Sequence, residues 1–343
     1  MARRSYHLFL WSSVSLFLLI LGASYLHITN GVFDMSVIDV AKTLMRINSN
    51  KEFDLVIFEF RLPRIVIAAL VGVGLGIAGV VLQGITRNGL ADPGILGINA
   101  GAGAAVVIFM YFFQVRLLDS DMSSWLLIMM MPLFGFIGGT IAAALIFSFA
   151  LKNGHLDMQR LILTGISINS GFGALSMYLS LKMNEKDFES AAVWMTGTIY
   201  NANWIFVIAM LPWLLILGFY IYKKSYLLDY FQLDEDNMTS LGIHVEKEKI
   251  TLLLACVGLV SACVSVSGSI GFIGLMAPHI ARQLVGIHHK YIMPISALIG
   301  AGLLILSDFI AKTVFAPDEI AVGIVVSIIG IPYFLYLLVK AKD

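Results

Sequence analysis

An all-α, polytopic membrane protein of about ten transmembrane helices, both termini cytoplasmic, is the fold class this sequence predicts. Three observations predict it. The 343 residues are 59% hydrophobic and only 13% charged, with a mean hydropathy of +0.90. Soluble chains run about 45–50% apolar and about 25% charged. Apolar runs of spanning length, about 20 residues each, follow one another along nearly the whole chain. The connections between them are mostly short and leave no room for a soluble catalytic domain.

The first run, Leu8 to about Ile28, follows Arg3 and Arg4. It exceeds the roughly 7–15-residue core of a signal peptide, and "LGASYL" offers no A-x-A cleavage site, so it reads as an uncleaved first span. Further spans are expected near 62–84, 93–113, 125–150, 161–182, 203–222, 249–268, 270–285, 292–312 and 319–339. The stretch 270–285 is short and glycine-rich, so nine spans plus a re-entrant segment is the alternative count. With the N-terminus inside, thirteen of the 22 Lys and Arg residues fall on the inner side, the sign that the positive-inside bias requires. Residues 1–343 form one transmembrane domain with two longer loops. The extracytoplasmic loop, 29–61, carries a short amphipathic helix around Val37 to Ile47. The cytoplasmic loop, 223–248, mixes large apolar residues with charge.

Several chemistries are excluded. "GVGLGIAG" (72–79) satisfies G-x-G-x-x-G, but a dinucleotide turn needs a preceding strand and an acidic residue about 20 positions on. These glycines lie inside an unbroken apolar run with no strand pattern before it, and their spacing suits close helix packing in a membrane. No G-x-x-x-x-G-K-[ST] and no H-E-x-x-H occurs, so any ATP is bound by another polypeptide and no zinc peptidase of that type is present. Cys256 and Cys263 are about 10.5 Å apart along a helix, beyond the roughly 7 Å limit for a disulfide, and read as packing residues. His288 and His289 read as solvated loop side chains. Zero net charge without a long basic run gives no hint of nucleic acid. No catalytic residue, metal site or cofactor is expected.

Five features remain. Arg61 and Arg64 frame "RLPR" at the mouth of the second span; they suit interface anchoring or docking of an acidic partner, since guanidinium groups pair bidentately with carboxylates. Asp92 and Pro93 suit the cap and first turn of the third span. "SGSIGFIGLMAPHIARQLVG" (267–286) reads as a broken helix, either a kink or part of a substrate pathway. Leu228, Phe231, Leu233 and Leu241 give the 223–248 loop an apolar face that suits a cytoplasmic partner better than a linker. In the fifth span, Thr164, Ser167, Gly171, Ala174 and Tyr178 share one small, partly polar stripe, which suits a pathway lining or helix packing.

Together, "RLPR…Q-G-x-x-x-N-x-LADP-x-x-LG", "G-x-IGFIGL-x-x-PHI-x-R" and "LSDFIAK…DEIAVGIVVSIIGIPYFLYLL" resemble the permease subunits of ATP-binding-cassette importers for iron siderophores and vitamin B12. The resemblance runs from about residue 55 to the C-terminus, and Trp194, Gly197 and Thr198 match a further W-x-x-G-S element. It implies a ten-helix permease in the bacterial cytoplasmic membrane, in contact with lipid. Its partners would be a second permease subunit (identical or a paralogue), two cytoplasmic ATPase subunits and an extracytoplasmic binding protein. Arg61, Arg64 and Lys312, the last standing where arginine is usual, would meet carboxylates of that binding protein. Leu228, Phe231, Leu233, Asp234, Glu235, Leu241 and Gly242 would form the ATPase-coupling element. Asp234, Asn237 and Met238 depart from the usual Gly or Ala. The implied cargo is a ferric siderophore, with vitamin B12 or haem as alternatives. Two rival classes predict other features. A stand-alone secondary transporter needs embedded carboxylates, and the nearest, Asp92 and Asp308, sit toward helix ends. An intramembrane enzyme needs clustered catalytic residues, and none is apparent.

Overall fold

A computed structural model describes residues 2–30, 35–47, 50–114, 124–152, 155–233, 235–316 and 318–340. Apolar runs of this kind become helices because a helix satisfies every interior backbone N–H and C=O within itself, without water. The first is α1 (Ala2–Thr29), followed by α2 (Val37–Leu44). Ser36 and Asp39 close a capping box at the start of α2, so the expected amphipathic helix is present, ending just before Arg46 with its φ of 54°. Next, α3 (Lys51–Asp54) runs through a π-helical stretch, Leu55–Arg61, straight into α4 (Leu62–Thr86). The predicted 29–61 loop is therefore too long: residues 51–61 are helix. Pro63 lacks an N–H and crowds the carbonyl four residues back, and the wider π turn upstream accommodates it.

A 3-10 turn, Pro93–Leu96, precedes α5 (Ile98–Phe109), and Asp92 caps that turn by accepting from the Gly94 N–H at 2.7 Å. Then come α6 (Ser124–Ala150), a two-residue antiparallel ribbon (Leu151–Lys152 with His155–Leu156), α7 (Met158–Ser180), α8 (Glu185–Met195) and α9 (Trp204–Lys223). Two short helices follow, α10 (Ser225–Tyr230) and α11 (Glu235–Ser240), then α12 (Val245–Ser267), α13 (Ile273–Val285), α14 (His289–Thr313) and α15 (Val322–Lys340). Among the described residues, eight helices are long and apolar enough to cross a membrane. Of the ten expected spans, 93–113 and 270–285 fall short. The first is broken at Gly97, whose φ is 66°. The second begins only at Ile273, and its 13 residues reach roughly 20 Å against a bilayer core of about 30 Å.

The core is built on α4, which packs against α12, α13 and above all α14. Its glycines make this possible. A Cβ on Gly76 would lie 2.6 Å from the Ser296 carbonyl oxygen of α14, and one on Gly79 would collide with the Gly274 carbonyl of α13. Gly72 faces Gly300, and Gly74 faces the Cys263 thiol. "GVGLGIAG" is a packing seam. Cys256 and Cys263 are buried against α4, in keeping with their expected packing role.

Candidate functional site

Three places bring chemistry-bearing residues together. The first lies where the start of α4 meets the ends of α1 and α14. Arg64 Nε and Nη2 donate to the two oxygens of Asp308 at 2.7 and 2.8 Å, and Nη1 donates to Glu319 at 2.7 Å. His27 Nε2 lies 2.7 Å from the same Asp308. The Asp308 side chain is 1% exposed and that of Arg64 11%. Arg61 donates to the Ile28 carbonyl, and Lys312 Nζ donates to the Asn30 carbonyl at 3.2 Å. Both cations thus stand on the negative end of the α1 dipole, where the last carbonyls lack helical partners. The structure brings Arg61, Arg64 and Lys312 to one junction, where they are engaged by their own chain. The physical reason is charge burial: an ionised side chain out of water needs a partner, and Asp308, Glu319 and the α1 carbonyls supply it.

The second junction lies at the opposite end of α14. Asp229, in α10, accepts from the His289 backbone N–H at 3.0 Å and lies 2.6 Å from His289 Nδ1. His288 Nδ1 is 4.0 Å away. Partial burial alone would push the Asp229 carboxyl up. Hydrogen bonds from His289, with the charge of both histidines, outweigh it and hold the group below the usual carboxylate range. His289 is therefore buried and bonded rather than solvated as expected; only His288 is exposed. Leu228 and Phe231 turn wholly inward, Leu228 against Gly84 of α4. They anchor the loop, whereas Leu233 and Leu241 are exposed. Arg87 donates to the Leu233 carbonyl, and Lys224 pairs with Glu248. Gly242 is exposed with a φ of 79°. Glu235 opens α11, and Asp234 lies outside the described residues.

The third place is a knot of interrupted helices. The Thr198 N–H donates to the Ser267 carbonyl at 2.8 Å, and the Gly323 N–H to the Gly197 carbonyl at 3.0 Å. This ties the chain after α8, the end of α12 and the start of α15 together. Gly197 and Gly268 have φ of 84° and 67°, and a Cβ on Gly268 would collide with the Trp194 carbonyl. The broken-helix reading of 267–286 stands: Gly268 ends α12, and Phe272, φ 65°, leads into α13. Asn99 Nδ2 donates to Ser269 Oγ at 3.2 Å beside the knot. Alongside runs α7, the least apolar of the eight long helices and, after α1, the least buried. Its Ser167, Gly171 and Tyr178 are exposed and Thr164 is half-buried, on the predicted stripe.

Sequence reasoning missed Asp229, His289, Asn99 and the partners of Arg64. Asp308 carried one signal: it stands one helical turn before Lys312 in an apolar run, and an ionisable group there marks function or a buried partner. His27 and Glu319 carried none. Among the described residues, no group of three or more His, Cys, Asp or Glu is placed to hold a metal ion.

The model of the FecCD transport family matches residues 17–340. This chain belongs to the FecCD transport family. It is 53% identical to the iron-uptake system permease protein FeuC of Bacillus subtilis (strain 168), over 94% of this chain and 96% of that one. It is 45% identical to the iron(3+)-hydroxamate import system permease protein FhuG of the same organism, over 95% and 96%. A solved inward-facing conformation of a metal-chelate type ABC transporter superposes with a TM-score of 0.81 at 30% identity, covering 95% of this chain and 98% of that one. The chain is thus a multi-pass permease subunit of an importer in the bacterial cytoplasmic membrane, and ATP is hydrolysed by separate subunits.

Proposed function

We propose that this permease carries ferric siderophores, of the hydroxamate or related iron-chelate class, from an extracytoplasmic binding protein to the cytoplasm. One observation carries the reading beyond family membership. The molecule joins a dense seam of α4, α13 and α14 to a sparsely buried, partly polar helix, α7, beside a knot of broken helices. A bulky chelate fits a wide path along α7 better than a closed pocket. Both termini, with the 223–248 loop, lie on the cytoplasmic side, and the Arg64 junction lies outside. A second permease subunit, a copy or a paralogue, completes the path. Two ATPase subunits dock on the 223–248 loop through Leu233, Leu241 and the turn at Gly242, with Asp234 and Glu235 adding charge. Leu228 and Phe231 carry the pull inward.

At the outer junction, carboxylates of the binding protein meet Arg61, Arg64 and Lys312, competing with Glu319 for Arg64 and with the α1 carbonyls for the other two. Because α14 is fixed to α10 through Asp229 and to α4 through Asp308, a movement of the loop reaches the docking end through one helix. The path then alternates between two states that hold the chelate with different affinity. A secondary transporter would use an embedded carboxylate for coupling; Asp308 is embedded, but both its oxygens are occupied by Arg64 and His27.

Reconstitution tests this. Vesicles holding the permease, its ATPase subunits and the binding protein are expected to take up ferric citrate or a ferric trihydroxamate only with ATP. Uptake without any ATPase subunit would overturn the importer reading. Lys312→Glu is expected to weaken binding-protein affinity, and an unchanged affinity removes Lys312 from the docking surface.

A further inference from the structure

Helix α2 packs against α1, α3 and the π-helical stretch that leads to Arg61. Its eight residues sort by angle. At about 100° per residue, Val40 and Thr43 form one flank, and both are buried. Val37, Ile38, Ala41 and Leu44, with the C-cap Met45, share an arc of about 120° beside that flank, and all five are exposed. The four large ones are 44–72% exposed. Lys42 borders the arc on its far side, and Arg46 follows the last turn; both are exposed. Cations beside an apolar face mark a helix that lies in a membrane surface. Its apolar side enters the acyl boundary, and its long basic side chains reach up to the phosphates.

The neighbours of α2 fix its depth. Arg46 stacks over the Phe58 ring, 5.2 Å from its centroid, and the Phe58 carbonyl accepts from Trp204 Nε1 at 2.7 Å. Trp204 opens α9, whose 20 residues end at Lys223. A helix of that length rises roughly 30 Å, the thickness of a bilayer core. Trp204 and Lys223 therefore mark the two headgroup levels, and tryptophan is enriched at such levels. Arg61 reaches the Ile28 carbonyl at the end of α1, so α1 stops near the same boundary. A delivery protein that comes and goes would leave the five apolar side chains in water between visits, and water-facing surfaces rarely keep such patches. Lipid covers them at all times. The face also continues the surface of α1, the least buried of the eight long helices, where Leu21, Tyr25 and Leu26 are exposed in its last turns.

We infer that α2 is an interfacial helix, with its Val37–Met45 face sunk into the leaflet on the Arg64 side and Lys42 at the lipid phosphates. It is not part of a loop standing in water. Because α2 packs on the stretch that runs into Arg61 and Arg64, its depth also sets the height of those arginines above the acyl chains. Only the naming of that leaflet as the outer one rests on the orientation proposed above; the depth of α2 does not.

Spin labels test the depth. The native Cys256 and Cys263 are fully buried and give a quiet background, and Ile38, Leu44 and Lys51 are exposed, so each tolerates a labelled cysteine. The assembled importer is placed in vesicles of phosphatidylethanolamine and phosphatidylglycerol, first without the binding protein. Nitroxides on Ile38→Cys and Leu44→Cys are expected to collide with oxygen more than with a water-soluble nickel chelate, at a depth of about 5–10 Å below the headgroups. A nitroxide on Lys51→Cys, at the polar start of α3, is expected to show the reverse. Nickel access at 38 and 44 equal to that at 51 would overturn the inference. If that access fell only when the binding protein was added, the face would belong to the binding protein. An immobile label shielded from both oxygen and nickel would assign it to a second permease chain. Lys42→Glu is expected to lift the label at 38 toward water in phosphatidylglycerol vesicles; an unchanged depth there would remove Lys42 from the phosphates. The side is read separately. Lys51→Cys in intact cells is expected to react with an impermeant maleimide, and no reaction would overturn the orientation while the collision ratios still decide the depth.

Discussion

Helices α4 and α7 are both spanning helices rich in glycine, and they use it in opposite ways. In α4 the glycines replace side chains that have no room, because α13 and α14 lie against its backbone. In α7, Gly171 and Gly173 have open space around them. One helix is a fixed seam, closed at each end of α14 by a hydrogen-bonded aspartate, and the other borders a space. A glycine in a membrane helix therefore signals closeness or emptiness, and the letter alone does not distinguish them.

The largest test of this contrast is Asp308→Ala, which strands Arg64 without its bidentate partner. Breaking a buried ion pair from one side costs about 3–5 kcal/mol, so a large fall in the thermal unfolding midpoint of the purified permease in detergent is expected. A midpoint unchanged from wild type would mean that the seam does not depend on this pair. Next is Gly79→Ala, whose added methyl meets the Gly274 carbonyl; overpacking of this kind costs about 1–3 kcal/mol or more, read by the same melt.

A smaller effect is expected for Asp229→Asn, about 1 kcal/mol for a weakened hydrogen bond. Its pH dependence has a definite sign. The folded carboxyl is held below its usual value, so its contribution is fully present above the unfolded value near 4 and is lost as pH falls below that. The gap between wild type and Asp229→Asn should therefore close below about pH 4, and a gap that persists there assigns the effect to something other than the charge. The smallest expected effect is opposite in sign. Gly173→Ala should stabilise by about 0.5–1 kcal/mol, because alanine is the better helix former and meets no clash. Loss of stability on that substitution would show that α7 is packed like α4 after all.

Much of the fold was legible in the letters. The spans, the packing use of "GVGLGIAG", the cap at Asp92 and the break at 267–286 follow from local rules about apolar length, glycine spacing and turn chemistry. The gathering of Arg61, Arg64 and Lys312 was legible only through family resemblance, and their engagement within the chain was not legible at all. Asp308 lies 244 residues from Arg64 in sequence, and no local pattern couples them.

What the sequence determined by itself, then, is a polytopic membrane protein without its own nucleotide site, with two arginines at the mouth of its second span and an apolar-faced loop at 223–248; resemblance added the permease class and the third cation. What only the tertiary structure decided is which face of each helix is used. Gly72, Gly76 and Gly79 of α4 meet the backbones of α13 and α14, while Gly171 and Gly173 of α7 meet nothing within 4 Å. The reason is physical. In water, hydrophobic periodicity marks the buried face of a helix, but lipid is as apolar as a protein core, so a membrane helix carries no such mark. Its buried face is chosen by the neighbours that reach it.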